Sequence, residues 1–107
     1  MKGAYIGELE ELVLLTAVGL NDSAYGVAIV AEIEKETGRK INIGAIHTVL
    51  RRLESKGYVT SRLDGATNER GGRRKRIYTL TTSGLNILEE IYSIRTRLYR
   101  KINPSGS

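Results

Sequence analysis

The hydrophobic period of this 107-residue chain changes twice, and that change restricts its folds more than any other feature. Up to Gly57, apolar residues recur every three to four positions. YVTSRL (Tyr58 to Leu63) and RIYTL (Arg76 to Leu80) then alternate with period two, and from Thr81 the helical period returns. Three helical segments, a pair of strands and a last helix must therefore follow one another along the chain. Turn chemistry agrees at each joint. Asn21, Asp22 and Ser23 break the first helix, Gly38 closes the second, Asn42 caps the third and Gly57 stops it. Thr81 or Thr82 caps the last helix, which runs for about five turns.

Within the helices the spacing assigns faces. Leu9, Leu12, Val13, Thr16 and Leu20 form the inner side of the first, and Tyr25, Ile29, Val30 and Ile33 that of the second. Ile43, Ile46, Val49, Leu50 and Leu53 share one arc of the third, with Gly44, Ala45, His47, Thr48, Arg51 and Arg52 on the opposite arc. Between the strands, DGATNERGGRRK is long for a hairpin connection, and loops of that length are usually functional or disordered. The pattern predicts a mainly α protein with a small β-hairpin. Its architecture is a winged helix-turn-helix of three helices and a two-stranded wing, plus a long C-terminal helix. Residues 1–80 form the first unit, 81–103 the helix, and 104–107 a tail.

Composition removes several functions. No cysteine is present, and His47 is the only histidine, so neither a disulfide framework, a thiolate metal site nor a histidine cluster can be assembled within one chain. Paired carboxylates on a shared inner face are missing too, so no enzyme and no cofactor is expected. The longest apolar-leaning run, Leu12 to Leu20, is half a membrane span, and acidic residues precede it where a signal peptide carries positive charge. A cytoplasmic, nucleoid-associated protein without a membrane partner is expected.

Charge supplies the positive argument. Residues 1–50 hold four basic and seven acidic side chains, whereas residues 51–76 hold nine basic and three acidic. The excess of the whole chain, +5, thus sits in one central segment and points to a polyanion. Gly44 and Ala45 would let the third helix approach a major-groove floor. His47, Thr48, Arg51 and Arg52 could then reach base edges or phosphates. Arg70, Arg73, Arg74 and Lys75, around a Gly-Gly pair, would follow the phosphate backbone from the hairpin tip. Either feature alone is equally a solvated basic surface. Together, on one side of a winged helix, they point to double-stranded DNA. The apolar stripe of the last helix is wider than so small a domain can cover. Leu88, Ile91, Ile94, Leu98, Tyr99 and Ile102, with Leu9 and Leu12 of the first helix, are expected at a twofold interface with a second copy. The other reading is a protein-interaction winged helix whose basic face is covered by an acidic partner.

From Leu9 to Leu88 the chain resembles the PadR family of bacterial transcriptional regulators. AYGVAIVAEI is similar to the family's Tyr-Gly-containing second helix, and INIGAIHTVLRRLESKGYVTS to its recognition-helix signature. RGGRRKRIYTLTTSG resembles the wing and its exit into the last helix. The resemblance implies a dimeric DNA-binding regulator, most often a repressor, of the short class that ends after one C-terminal helix. The family usually carries Tyr where this chain has His47. Short relatives stack flat aromatic drugs between protomers, and here only Tyr5, Tyr92 or Tyr99 offers a ring for that; no effector is identified.

Overall fold

A computed structural model describes residues 6–64 and 75–102. Its helices are α1 (Glu8–Leu20), α2 (Gly26–Thr37), α3 (Ile43–Ser55) and α4 (Thr82–Ile102). A 3-10 turn (Asn21–Ser23) joins α1 to α2, and strands β1 (Val59–Leu63) and β2 (Arg76–Leu80) lie between α3 and α4. The expected order is present element for element. Residues 65–74, which include the expected DNA contacts Arg70, Arg73 and Arg74, lie outside the described residues, as do Tyr5 and the tail.

Each joint has an identifiable cause. The Asn42 side chain accepts hydrogen bonds from the Gly44 and Ala45 amides at 2.6 and 3.3 Å, which starts α3. At its other end Gly57 takes φ +82°, where a side chain would be strained. The Gly57 and Tyr58 amides then donate back to the carbonyls of Glu54 and Leu53, a Schellman closure. Tyr58 is spent in that closure, so β1 begins one residue later than the alternation suggests. The strands pair antiparallel from Val59↔Leu80 to Leu63↔Arg76. A single bridge from Tyr25 to Ile77 and a hydrogen bond from the Tyr78 amide to the Ala24 carbonyl dock the entry of α2 against β2. The Thr81 hydroxyl caps α4 by accepting from the Gly84 amide at 3.1 Å.

Val13, Leu14, Ile29, Ile33, Ile46, Leu50, Leu53 and Val59 are fully enclosed and make the core under α3. Three expected faces are corrected by the packing. The buried side of α1 is Glu10, Val13, Leu14 and Ala17, while Leu9, Leu12, Thr16 and Leu20 are half-buried and Leu15 and Val18 exposed. Ile43 lies in the first turn of α3, beyond the core, and is exposed. Tyr25 precedes α2 as its N-cap residue and does not belong to the helix's inner face. Of α4, only Gly84 and Ile87 are buried. Among the described residues no helix is long and apolar enough to cross a membrane.

Glu10 is a buried carboxylate, 7% exposed. It accepts from the Gly7 amide at 2.8 Å and from the Lys56 ammonium at 3.0 and 3.2 Å, tying the start of α1 to the end of α3. Burial pushes its carboxyl up, but the Gly7 hydrogen bond and the Lys56 ammonium outweigh this and hold it below its ordinary value. A depressed carboxyl stabilises the fold above the unfolded-state value, and the gain is lost as pH falls through the folded one. Lys56→Ala is expected to cost about 1–2 kcal/mol at pH 7, because the carboxylate keeps its burial and loses its cation. The same variant should lose less additional stability than wild type when taken to acid. Denaturant midpoints at pH 7 and near pH 3.5 measure both effects.

Candidate nucleic-acid interface

The outer face of α3 starts small and becomes basic. Gly44, Ala45 and His47 are exposed; so are Arg51 and Arg52 one turn on. Thr48 is half-buried and donates its hydroxyl hydrogen to the Gly44 carbonyl at 3.1 Å, so in this arrangement its oxygen can only accept from a further partner. Arg51 and Arg52, adjacent in sequence, part company in space. Arg51 faces the hairpin, where its charge slightly opposes the upward shift of the Tyr78 phenol, whereas the charge of Arg52 acts on Glu10.

On the hairpin side α3, the start of α2 and the two strands enclose an open groove of about 950 Å³. His47 and Arg51 line it from α3, Gly26, Val27 and Ala31 from α2, and Leu63, Lys75 and Arg76 from the hairpin. Tyr25 and Tyr78 form part of its wall, and Glu54 is its carboxylate on the α3 side. Gly26 lies under the end of the exposed His47 side chain. A Cβ there would stand 2.8 Å from His47 Nε2, so the imidazole rests on the first turn of α2 where a methyl would otherwise be. Burial holds the Tyr78 phenol above its ordinary value, with Arg76 and Arg51 opposing that shift.

The wing root is tied down from α2. The Tyr25 hydroxyl donates to Asp64 Oδ2 at 3.2 Å, and the Lys75 ammonium stands 4.9 Å from the centroid of the Tyr25 ring. Desolvation first, then the Asp64 carboxylate, pushes the Tyr25 phenol up. Arg76 donates to the Ser61 hydroxyl at 3.0 Å, and that hydroxyl donates to Glu54 at 2.9 Å. A relay from the wing to α3 results.

Of the expected DNA-contacting residues in the described chain, His47, Arg51 and Lys75 are thus brought together around one groove. Gly44, Ala45 and Thr48 lie on the adjoining first turns of α3, and Arg52 is turned away toward α1. Sequence reasoning missed Tyr25, Asp64 and Arg76 as members of the site. In sequence Arg76 reads as the first residue of the second strand, and the Tyr-Gly pair opening α2 is the only cue to Tyr25. The residues expected at a twofold interface divide into two groups. Leu9, Leu12, Leu88 and Ile91 are half-buried against the chain's own core, while Ile94, Leu98, Tyr99 and Ile102 face outward. A bidentate pair from Arg95 to Glu11, at 2.7 and 3.2 Å, fastens the middle of α4 to α1.

Three helices, a hairpin laid beside the third and a long helix after it define the winged helix-turn-helix class with a C-terminal helical extension. Within that class, residues 14–90 match the Transcriptional regulator PadR-like family, and the chain belongs to it. The family is one of transcriptional regulators, not of enzymes. No curated protein matches the chain. Among solved structures, a PadR family transcription regulator from hypervirulent Clostridium difficile R20291 is 28% identical, with a TM-score of 0.68 over 92% of this chain and 97% of that one. A padr family transcriptional regulator from Eggerthella lenta DSM 2243 is also 28% identical, with a TM-score of 0.68 over 91% of this chain and 84% of that one. Bacillus subtilis PadR, solved in complex with operator DNA, shares the fold at 24% identity and a TM-score of 0.64; the match covers 79% of this chain and 46% of that one.

Proposed function

We propose that this PadR-like regulator binds double-stranded DNA as a homodimer and acts as a repressor by occupying a palindromic promoter site. The observation that carries the reading is the groove in which His47 and Arg51 of α3 face Lys75 and Arg76 of the wing root. Cations on two elements at one opening suit a duplex, whose major groove takes the helix while its backbone takes the wing. The fold relative from Bacillus subtilis, solved in complex with operator DNA, supports DNA as the partner. Residues 1–80 serve as the DNA-binding unit and α4 as the dimerisation helix, placing two reading helices about 34 Å apart, one DNA turn. Such a regulator works in the cytoplasm, at the nucleoid.

Affinity then comes mainly from phosphate neutralisation and falls steeply with salt. Selection of bound sequences from random duplexes should return a palindrome. On that operator and a scrambled control, Arg51→Ala is expected to cost about tenfold or more on the operator and less on the control, because an arginine on guanine discriminates bases. Arg73→Ala with Arg74→Ala should weaken both duplexes alike. Gel-shift titrations measure this, and equal losses on both duplexes for every variant would remove base reading from α3.

A second reading has one observation in its favour. Val27 and Leu63 are exposed apolar residues at the same groove, as a protein-binding winged helix would offer to an acidic partner. It predicts no retention on heparin or duplex DNA at moderate salt.

A further inference from the structure

We propose that Tyr25 is a positioning residue that holds the root of the wing at a fixed angle to α3, so that Lys75 meets the DNA backbone already in place. This rests on the DNA-binding reading above and goes beyond it, because Tyr25 is outside α3 and outside the cationic run.

Tyr25 stands where three elements meet. Its backbone is extended ahead of α2 and bridges to Ile77, and the preceding carbonyl accepts from the Tyr78 amide at 3.1 Å, so its position relative to β2 is fixed. From that fixed point the side chain reaches both residues that close the described hairpin. The hydroxyl holds Asp64, and the ring faces the Lys75 ammonium. Asp64 and Lys75 are themselves joined, the Asp64 amide donating to the Lys75 carbonyl at 2.6 Å. One aromatic ring therefore sets both sides of the wing at the point where it leaves the groove lined by His47 and Arg51. A lysine on a four-carbon stem loses much rotamer freedom when it binds a phosphate. Without the aromatic face that holds it, the ammonium is too rarely beside the backbone to neutralise a phosphate and release its counterion.

A direct hydrogen bond from the Tyr25 hydroxyl to a phosphate is the competing role, and salt separates the two. A neutral hydroxyl releases no counterion, so its removal lowers affinity without changing the slope of log K against log salt. If Tyr25 acts through Lys75, Tyr25→Leu lowers that slope by about one, and affinity at fixed salt falls about three- to tenfold on operator and scrambled duplex alike. Tyr25→Phe, which keeps the ring and loses the tether to Asp64, gives a smaller change in the same direction.

Amide exchange of Asp64 in the free protein tests the tether without DNA. It should quicken in Tyr25→Phe and more in Tyr25→Leu, while core amides such as Leu50 keep their protection. Unchanged exchange at Asp64 in both variants overturns the proposal; so does lost affinity with an unchanged salt slope. If Tyr25→Leu does not fold, the Tyr25→Phe and Asp64→Ala pair decides by the same two readouts. If the wild-type protein binds no duplex at all, the DNA reading fails and the positioning role falls with it, whereas a slope that stays constant in the variants of a DNA-binding protein removes only the role of Tyr25.

Discussion

Leu98→Asp is expected to convert the protein to monomers and to lower affinity for a two-half-site duplex by roughly 100-fold or more, with binding to a single half-site nearly unchanged. The residue is 57% exposed in the protomer, and Ile94, Tyr99 and Ile102 continue an outward apolar stripe along the last two turns and more of α4. The same end of the helix carries Arg95, Arg97, Arg100 and Lys101. On α1, Leu15 and Val18 are exposed, and a depression of about 520 Å³ is lined by Leu12, Leu15, Gly19, Glu32 and Glu36. An apolar stripe edged by cations and an apolar depression edged by carboxylates are complementary surfaces for two copies of one chain. Twofold symmetry would use each pairing twice. A carboxylate in the middle of such a contact would have to be desolvated without a partner, which costs far more than the leucine contributes. In the proposed dimer, two tethered reading domains would bind the second half-site at an effective concentration near millimolar, an advantage that disappears in a monomer. Sedimentation velocity and titrations on full and half operators measure both parts. A variant that still sediments as a dimer would move the interface off α4. A wild-type protein that sediments as a monomer at tens of micromolar would remove the dimer altogether.

The joints of the fold were legible because single residues decide them. Asn42 accepts from two amides, Gly57 takes the left-handed conformation, and Thr81 caps α4 with its hydroxyl, each as its residue type suggests. The face of α1 was not legible. Leu12 to Leu20 is apolar on nearly all sides, so the sequence offers no polar arc to point away from the core, and the packing of α2 and α3 selects Val13, Leu14 and Ala17. The reading helix was legible as a composition, small then basic, but not in the division of Arg51 from Arg52. That division depends on where β2 and Glu10 lie, far away in sequence. Tyr25 escaped for the same reason: Asp64 and Lys75, which its hydroxyl and ring engage, are 39 and 50 positions on. Local chemistry specifies helix ends and turn conformations, whereas pairings across the chain appear only once the hairpin has been laid against α2. The cations Arg70, Arg73 and Arg74 remain an expectation of charge alone.

Gly84→Ala carries the other large effect, and two principles disagree about its sign. In the first turn of α4, an alanine should improve helix propensity by up to about 1 kcal/mol. The tertiary contact opposes this and wins. Gly84 is buried, and a Cβ added to it would fall far inside contact distance of the Tyr58 carbonyl oxygen, with Leu80 Cγ 3.3 Å away on another side. That carbonyl is backbone and cannot swing aside like a side chain. It also accepts from the Thr81 amide at 3.0 Å, while the Thr81 hydroxyl donates to the Gly57 carbonyl at 2.6 Å. The closure of α3 and the cap of α4 are thus one hydrogen-bonded unit, and the methyl group pushes its two halves apart. Overpacking of this kind costs about 1–3 kcal/mol, and more where the obstacle is rigid. A net loss of about 2–3 kcal/mol is expected, lowering Tm by roughly 10–20 °C for a domain of this size. Denaturant titration at fixed protomer concentration checks it: the midpoint should fall with an unchanged m-value. A midpoint equal to or above that of wild type would show that α4 can shift away from Tyr58 at little cost. In the expected outcome the surviving folded fraction has α4 displaced at its first turn, and over 21 residues a small tilt there becomes a large displacement of Leu98 and Ile102. If the chain pairs through α4 as proposed, operator affinity in Gly84→Ala should therefore fall by more than the folded fraction accounts for, since each reading head is aimed through this joint of its own chain.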